Sequence, residues 1–388
     1  MPSHRLAFVV LAVLALAAAG ARAGRPKWHE LTAGYTFDAY CRDFGKAHRR
    51  RSAAWAVREA AFAASLRTVL AHNAQAPPPP FRMGVNGFSD WTDAEWAAYN
   101  RHRELPAQVA AATVPLAVPR APATGLPASV DYRRREPPVL TSVKFQGNCG
   151  SCWAHAAAES VETYYALMTN GTLPTLSQQQ LTSCTPDMNG CGGGSFWEAW
   201  TYVTKSANGL WSDWVYPYED FLSNGSTQPC RAGAVMAKVE QIASNPGLAS
   251  FWSPHVNVTG FHQTPANDAN ATMAALATIG PLAISVAAAP WRHYESGVFV
   301  NPAGSPDEWR IDHAAQLVGY GVTDAADGAT PYWIVRNSWS AWFGEEGFIR
   351  LARPAVEPCG LWNGDTVCGT SGLLLRPAYP DVADIGNE

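Results

Sequence analysis

The string Gln-Gly-Asn-Cys-Gly-Ser-Cys-Trp at residues 146–153 constrains this chain more than any other feature. It is followed by a run almost free of helix breakers, which predicts a helix from Cys152 to Met168. A thiol at a helix N-terminus meets the positive end of the helix dipole, which favours the thiolate. The string therefore predicts a chemically reactive cysteine.

The residues leave three uses open for Cys149 and Cys152. They could form a thioredoxin-like redox pair, half of a zinc site, or one nucleophile beside one structural cysteine. The sequence offers no second Cys-x-x-Cys and no suitably spaced histidine pair, so we expect no metal. A redox pair needs a compact βαβ context, which the flanking residues do not indicate. A nucleophile needs a distant histidine and an orienting side chain.

Both partners of a nucleophile are present downstream. His313 precedes the apolar run Gln316–Val322, and Asn337 follows the apolar run Tyr332–Arg336, so each is expected at the end of a strand. Cysteine, histidine and asparagine thus occur in order, each within a distinctive local string. This combination favours nucleophilic catalysis by Cys152.

The N-terminus predicts entry into the secretory pathway. Residues 1–23 combine a basic start, an apolar run at 6–19 and an Ala-Arg-Ala cleavage site, which is typical of a signal peptide rather than a membrane anchor. In an oxidising compartment cysteines pair and sequons can be glycosylated. The acceptor pattern occurs at four asparagines: Asn170, Asn224, Asn257 and Asn270.

Composition and charge divide the rest of the chain. Residues 24–104 are rich in predicted helix, residues 105–125 form an Ala/Pro/Val-rich linker, and residues 126–388 form the main body. Residues 24–125 carry 13 Lys/Arg and 8 Asp/Glu, whereas residues 126–388 carry 13 and 24. Opposite net charges predict that the first segment docks on the body, and that acid around pH 4–5 weakens the attraction. A net charge of −4 argues against nucleic-acid binding.

On these residues the chain resembles the papain family of cysteine proteases, in the preproenzyme form of its cathepsin L-like group. The resemblance implies that Cys152 is the nucleophile, His313 the base and Asn337 the residue that orients the imidazole. It implies that Gln146 donates to the oxyanion hole and that Trp339 shields the Asn–His hydrogen bond from water. The implied activity is an endopeptidase that hydrolyses polypeptides without a cofactor.

The resemblance also implies disulfides and substrate contacts. The implied pairs are Cys149–Cys191 and Cys184–Cys230. The family's usual third bridge has no counterpart here, so we expect a local Cys359–Cys368 bridge and a free Cys41. The glycine run is implied to bind extended substrate. An apolar substrate preference is expected in the pocket for the second residue before the scissile bond. These implied substrate-binding residues are Gly193, Gly194, Phe196, Ser285, Ala314 and Trp339.

A second set of motifs resembles the family's inhibitory propeptide. Gly84-x-Asn86-x-Phe88-x-Asp90 matches its motif at every specified position, and we expect acid to act specifically on Asp90. The helix motif, Glu-Arg-Phe-Asn-Ile-Asn in the family, occurs here as Ala54, Arg58, Phe62, Ser65, Val69 and Asn73.

The implied fold is α+β, with a helical lobe and a β-barrel-like lobe behind an N-terminal helical propeptide. The implied protein is a monomer of the lysosome or vacuole lumen, or of the extracellular space, that contacts no membrane after signal cleavage. Two alternatives are an exopeptidase of the same family and, in a different class, a thiol–disulfide oxidoreductase.

Overall fold

A computed structural model of the chain describes residues 25–106, 110, 114–117, 125–206, 209–222, 225–235, 237 and 256–384. The chain divides into two compact units. The smaller comprises the residues up to Pro78 together with Met83–Thr92, and the larger comprises Pro79–Arg82 and the residues from Asp93 onward.

The smaller unit is built around two helices, α1 (Phe37–Asp43) and α2 (Ala53–Asn73). The side chain of Ser52 accepts a hydrogen bond from Trp55 N–H and caps α2, which is the stabilising role of an N-cap serine. The core contains Phe37, Tyr40, Phe62 and Val69, with aromatic rings in direct contact. Of the sequence motif, Phe62, Ser65 and Val69 are therefore on the buried face of α2, whereas Ala54 is exposed.

A nine-stranded sheet dominates the larger unit. Its order is β1-β5-β8-β7-β6-β4-β11-β3, with β2 paired to β6 and with β5 and β8 parallel. A separate hairpin is formed by β9 and β10. The strands are β1 Phe81–Met83, β2 Val130–Asp131, β3 Val256–Gln263, β4 Leu282–Val286, β5 Tyr294–Phe299, β6 His313–Val322, β7 Pro331–Arg336, β8 Phe348–Ala352, β9 Cys359–Trp362, β10 Asp365–Cys368 and β11 Ala378–Asp384.

Helix α4 (Cys152–Met168) lies at the centre of the larger unit. Its core includes Trp153 and Val161 of α4 and, from the sheet, Ala283 and Ala314, all at most 1% exposed. The residues on nearly every side of α4 are buried, as expected for a helix enclosed by protein. The other helices of the unit are α3 Asp93–Tyr99, α5 Gln178–Cys184, α6 Phe196–Lys205 and α7 Ala269–Thr278.

Three disulfides join the predicted pairs Cys149–Cys191, Cys184–Cys230 and Cys359–Cys368, and Cys41 is a buried free thiol. Because Cys149 pairs with Cys191, it is not joined to Cys152.

Helix and strand predictions agree with the structure, and the predicted α+β class is confirmed. Helix α4 has the predicted bounds, and both apolar runs after His313 and before Asn337 are strands. Among the described residues, no helix is both long and apolar enough to cross a bilayer. The predicted signal peptide and most of the linker at 105–125 lie outside the described residues.

Candidate active site

Cys152 is the first residue of α4 and is fully buried. The side chain of the N-cap residue Ser151 makes no capping hydrogen bond, since its hydroxyl pairs with the Tyr218 hydroxyl 2.6 Å away. Backbone hydrogen bonds from Ala314, Arg101 and Trp153 reach the Cys152 thiol. The thiol therefore faces several N–H groups and the positive end of the helix dipole.

Strands β6 and β7 bring His313 and Asn337 together. The strands are antiparallel with Gln316 opposite Arg336, so the start of β6 meets the end of β7. His313 begins β6 and Asn337 follows β7. Nε2 of His313 lies 2.8 Å from Oδ1 of Asn337, and both residues are fully buried.

This contact determines the histidine tautomer. The backbone N–H of Ser338 also donates to Oδ1 of Asn337, over 2.8 Å, which identifies that atom as the amide oxygen. An amide oxygen only accepts hydrogen bonds, so Nε2 of a neutral His313 carries the proton and Nδ1 keeps its lone pair. Nδ1 has no hydrogen-bond partner among the described residues. The indole of Trp339 lies 4.8 Å from the imidazole, centroid to centroid.

Gln146 is fully buried and held at both ends of its amide. Oε1 accepts a hydrogen bond from the Ser338 hydroxyl over 2.7 Å, and Nε2 donates to the Cys149 carbonyl over 2.9 Å. Its backbone N–H donates to the Ser338 carbonyl over 2.9 Å. These contacts fix an amide N–H donor on the segment that leads into α4.

The segment at residues 101–104 occupies this site. Arg103 N–H donates to the Gly194 carbonyl over 2.7 Å, and Gly194 N–H donates to the Arg101 carbonyl over 3.3 Å. The backbone edges touch so closely that a Cβ on Gly193 would lie 2.4 Å from the Arg101 carbonyl oxygen. The glycine run therefore binds an extended segment, here one from the same chain.

Both reactive groups are fully buried in this structure. Burial raises the pKa of Cys152 to about 11, against hydrogen bonds from Ala314 and Arg101 that lower it. Burial likewise lowers the pKa of His313 to about 3. Burial therefore favours the neutral form of both groups, because it disfavours a charged thiolate and a charged imidazolium alike.

The pocket lined by Phe196, Ser285 and Ala314 was expected to take an apolar side chain. The structure instead places polar side chains of the covering segment there. The imidazole of His102 stacks on Phe196 at 5.2 Å, and the carboxylate of Glu104 accepts a hydrogen bond from Ser285. Nε of Arg376 lies 3.4 Å from Oε1 of Glu104 and brings a positive charge to this carboxylate, which the expectation did not include.

Sequence reasoning also missed Trp197 and Tyr218. Nε1 of Trp197 donates to Glu104 over 3.0 Å, and the Tyr218 hydroxyl donates to the Gln146 carbonyl over 2.9 Å. A lone arginine within the apolar run Leu373–Ala378 was the available signal for Arg376, but nothing local marks its ionic partner.

Three of the four predicted glycosylation acceptors lie among the described residues. Asn170 and Asn270 are exposed, Asn257 is half-buried in β3, and Asn224 lies outside the described residues.

The described residues contain one compact group of possible metal ligands, Cys149, Cys191 and Asp220, but the two sulfur atoms are bonded to each other.

Two family models match the chain. The model for papain family cysteine proteases matches residues 126–368, and the model for the cathepsin propeptide inhibitor domain matches residues 37–96. Segment 101–104 thus lies between the two matched regions.

Relatives and solved structures extend these matches. Procathepsin L of Mus musculus is 31% identical over 366 residues, covering 91% of this chain and 96% of the relative. Vignain of Ricinus communis is 32% identical over 319 residues, covering 80% and 76%. The structure of digestive procathepsin L2 proteinase from the Tenebrio molitor larval midgut aligns with a TM-score of 0.70 at 25% identity, covering 90% of this chain and 99% of that one.

Proposed function

The chain belongs to the papain family of cysteine proteases, and from this premise we propose which residues perform the reaction of a cysteine endopeptidase made as an inactive zymogen. Cys152 is the nucleophile, His313 the general base and acid, and Asn337 the residue that orients the imidazole. The single observation that carries this assignment is the 2.8 Å contact between His313 and Asn337, which leaves Nδ1 of His313 ready to take the proton of Cys152.

The reaction proceeds in two stages. Cys152 Sγ attacks the carbonyl carbon of the scissile bond while His313 holds the thiol proton. As the C–N bond breaks, His313 gives that proton to the leaving amine and a thioester remains. A water molecule then hydrolyses the thioester, with His313 as its base.

The oxyanion of each tetrahedral intermediate accepts hydrogen bonds from the Cys152 backbone N–H and the Gln146 side chain. Loss of one such donor typically lowers the rate by about 10²–10³. Trp339 keeps water from the hydrogen bond that orients the base.

The chain acts on polypeptides and carries its own propeptide inhibitor domain. We propose that residues 24–104 form the propeptide, that residues 105–125 contain the cleavage site, and that residues 126–388 are the mature monomeric enzyme, without nucleic-acid or membrane partners. Latency has two causes in this proposal. Segment 101–104 covers the Gly194 edge, and its coverage holds Cys152 and His313 in their neutral forms.

The proposed destination is the secretory pathway, with the lysosome or vacuole lumen or the extracellular space as its end. The signal-like residues 1–23, the three disulfides and the exposed sequons at Asn170 and Asn270 support it. Mass spectrometry of the secreted chain, with and without glycosidase, tests both sequons.

A thiol-directed active-site probe tests the catalytic assignment. Cys152→Ala should abolish both labelling and peptide hydrolysis by the processed enzyme, and His313→Ala should abolish hydrolysis. Cys41→Ala is the matched control, since Cys41 is the other free cysteine among the described residues, and it should leave labelling of Cys152 unchanged. More than a few per cent of activity in Cys152→Ala would refute the assignment.

A further inference from the structure

The carboxylate of Glu104 is enclosed by donors from the peptidase region. Its side chain is 1% exposed. Nε1 of Trp197 donates to Oε1 over 3.0 Å, the hydroxyl of Ser285 donates to Oε2, and Nε of Arg376 lies 3.4 Å from Oε1. An indole N–H, a hydroxyl and a guanidinium together compensate the free-energy cost of burying the carboxylate.

The surroundings of Glu104 in the covered state favour its charged form. Burial raises the pKa of Glu104, but hydrogen bonding and charge from His102, the charge of Arg376 and the Ser285 hydrogen bond outweigh it and hold the pKa below its usual value. Of these groups, His102 belongs to the same segment as Glu104. The others stay with the enzyme when that segment leaves.

Removal of the segment leaves Arg376 short of partners. It loses the Glu104 carboxylate and the Leu105 carbonyl, to which Nη2 donates over 2.7 Å. Within the described residues, its remaining acidic neighbour is Asp365, 3.5 Å from Nη2, and Nε faces the vacated position. The Arg376 side chain is only 6% exposed in the covered state, so its guanidinium lies within the pocket and not on the open surface.

The pocket lies beside the nucleophile. Ser285 pairs with Ala314 across β4 and β6, and the Ala314 backbone reaches the Cys152 thiol. The segment that carries Glu104 binds along Gly194, the edge proposed to bind extended substrate. The segment residue that pairs with Gly194 is His102, whose Nε2 lies 2.8 Å from Ser285 Oγ and 3.3 Å from Glu104 Oε2. A substrate side chain at that position would therefore reach the pocket that holds Glu104.

We infer that the mature enzyme prefers substrates with glutamate or aspartate at the second residue before the scissile bond, and that Arg376 determines this preference. The inference rests on the proposed function, because it assumes that Cys152 cleaves peptides bound along Gly194. Trp197 and Ser285 orient the carboxylate, and Arg376 neutralises it.

Four fluorogenic peptides test the inference. They are identical except for Glu, Gln, Leu or Lys at the second residue before the scissile bond, and kcat/KM is measured per probe-labelled Cys152. The wild-type enzyme should prefer Glu over Gln and over Leu by roughly 10- to 100-fold, the usual effect of hydrogen bonds to a charged group. Arg376→Gln should bring the Glu/Gln ratio within a few-fold of one while the Leu peptide is still cleaved.

Arg350→Gln is the matched control, because Arg350 forms an ion pair with Glu345 over 2.7 Å outside the pocket. It should keep the wild-type Glu/Gln ratio. A wild-type enzyme that prefers Leu, or that prefers Lys because Asp365 dominates the pocket, would overturn the inference while leaving the peptidase assignment intact. If Arg376→Gln does not fold, the wild-type peptide series decides alone. If wild-type Cys152 is neither labelled nor active on any peptide, both the proposed function and the inference are refuted.

Discussion

Asp90 in the smaller unit and Glu104 in the larger one each bury a carboxylate whose side chain is 1% exposed. Asp90 meets Nζ of Lys46 at 2.9 Å, Nε2 of His48 at 2.7 Å and the Tyr40 hydroxyl at 2.9 Å. These partners come from the same unit, within 50 positions of Asp90. The two sites thus share their chemistry, an acid among donors and cations, but differ in which part of the chain supplies the donors.

Apart from His102, the side-chain partners of Glu104 lie much farther along the chain. Trp197 and Ser285 are 93 and 181 positions away. The contacts of Asp90 join elements within the smaller unit, whereas those of Glu104 fasten a connecting segment to the peptidase region of the larger unit. The same kind of buried charge therefore serves folding in one region and latency in the other.

Asp90→Asn is expected to have the largest effect among the variants that test this comparison of Asp90 with Glu104. The variant leaves Lys46 and His48, 20% and 24% exposed, without their shared carboxylate, so the smaller unit should lose about 3 kcal/mol of unfolding free energy. Hydrogen exchange of the α2 amides, in a full-length chain that carries Cys152→Ala to prevent processing, measures the loss.

Asp38→Asn is the control for that experiment. Asp38 pairs with Arg50 over 2.6 Å, but its side chain is 52% exposed, so the ion pair is screened by solvent. Its exchange rates should stay close to wild type. Equal losses of unfolding free energy in the two variants would mean that the burial of Asp90 adds nothing to the stability of the smaller unit.

Glu104→Gln should have the next largest effect, and on a different property. Because the Gln side chain lacks the charge that Arg376 and His102 bind, the segment should uncover Cys152 more often, and thiol labelling of the full-length chain at pH 7 should accelerate about tenfold or more. Glu59→Gln, at an exposed position of α2, should not change the rate. If Glu104→Gln instead destabilised the α2 amides as Asp90→Asn does, the distinction between the two acids would collapse.

The pKa of Asp90 argues against one sequence-based expectation, that acid around pH 4–5 acts on this residue. Burial raises the pKa of Asp90, but the charge and hydrogen bond of Lys46 and the hydrogen bonds of His48 and Tyr40 outweigh it, so the pKa lies below its usual value. A lowered pKa means that the stabilisation is present above the ordinary value, about 3.9, and is lost as pH falls through the lower native value. We therefore predict that Asp90 is not the trigger at pH 4–5. Its cluster should keep α2 protected from exchange through that range and lose protection only at lower pH. Loss of protection already at pH 5 would contradict this account.

Asp365→Asn should have the smallest effect. Asp365 is 24% exposed and lies 3.5 Å from Nη2 of Arg376, so it competes weakly with Glu104 for the same cation. Its removal should slow labelling of Cys152 in the full-length chain by at most a few-fold, as expected for a partly solvated ion pair. Faster labelling would show that Asp365 supports Arg376 rather than competing with Glu104.

Much of the catalytic centre could be predicted because its residues lie in distinctive local strings. Cys152 opens a helix whose bounds follow from helix propensity, and His313 and Asn337 sit at the ends of apolar strands. A strand end is a local property, so the sequence could place both residues at strand ends, although only the sheet brings the two ends together.

The sequence by itself thus determined helix α4 and strands β6 and β7, the order of cysteine, histidine and asparagine, and the motif around Asp90. Only the tertiary structure decided that Glu104 meets Arg376, that Cys152 is covered, and that a pocket expected to be apolar holds a carboxylate. The physical reason is that secondary structure follows from neighbouring residues. The state of a buried charge depends instead on donors that long-range packing brings from distant positions, and no local pattern records them.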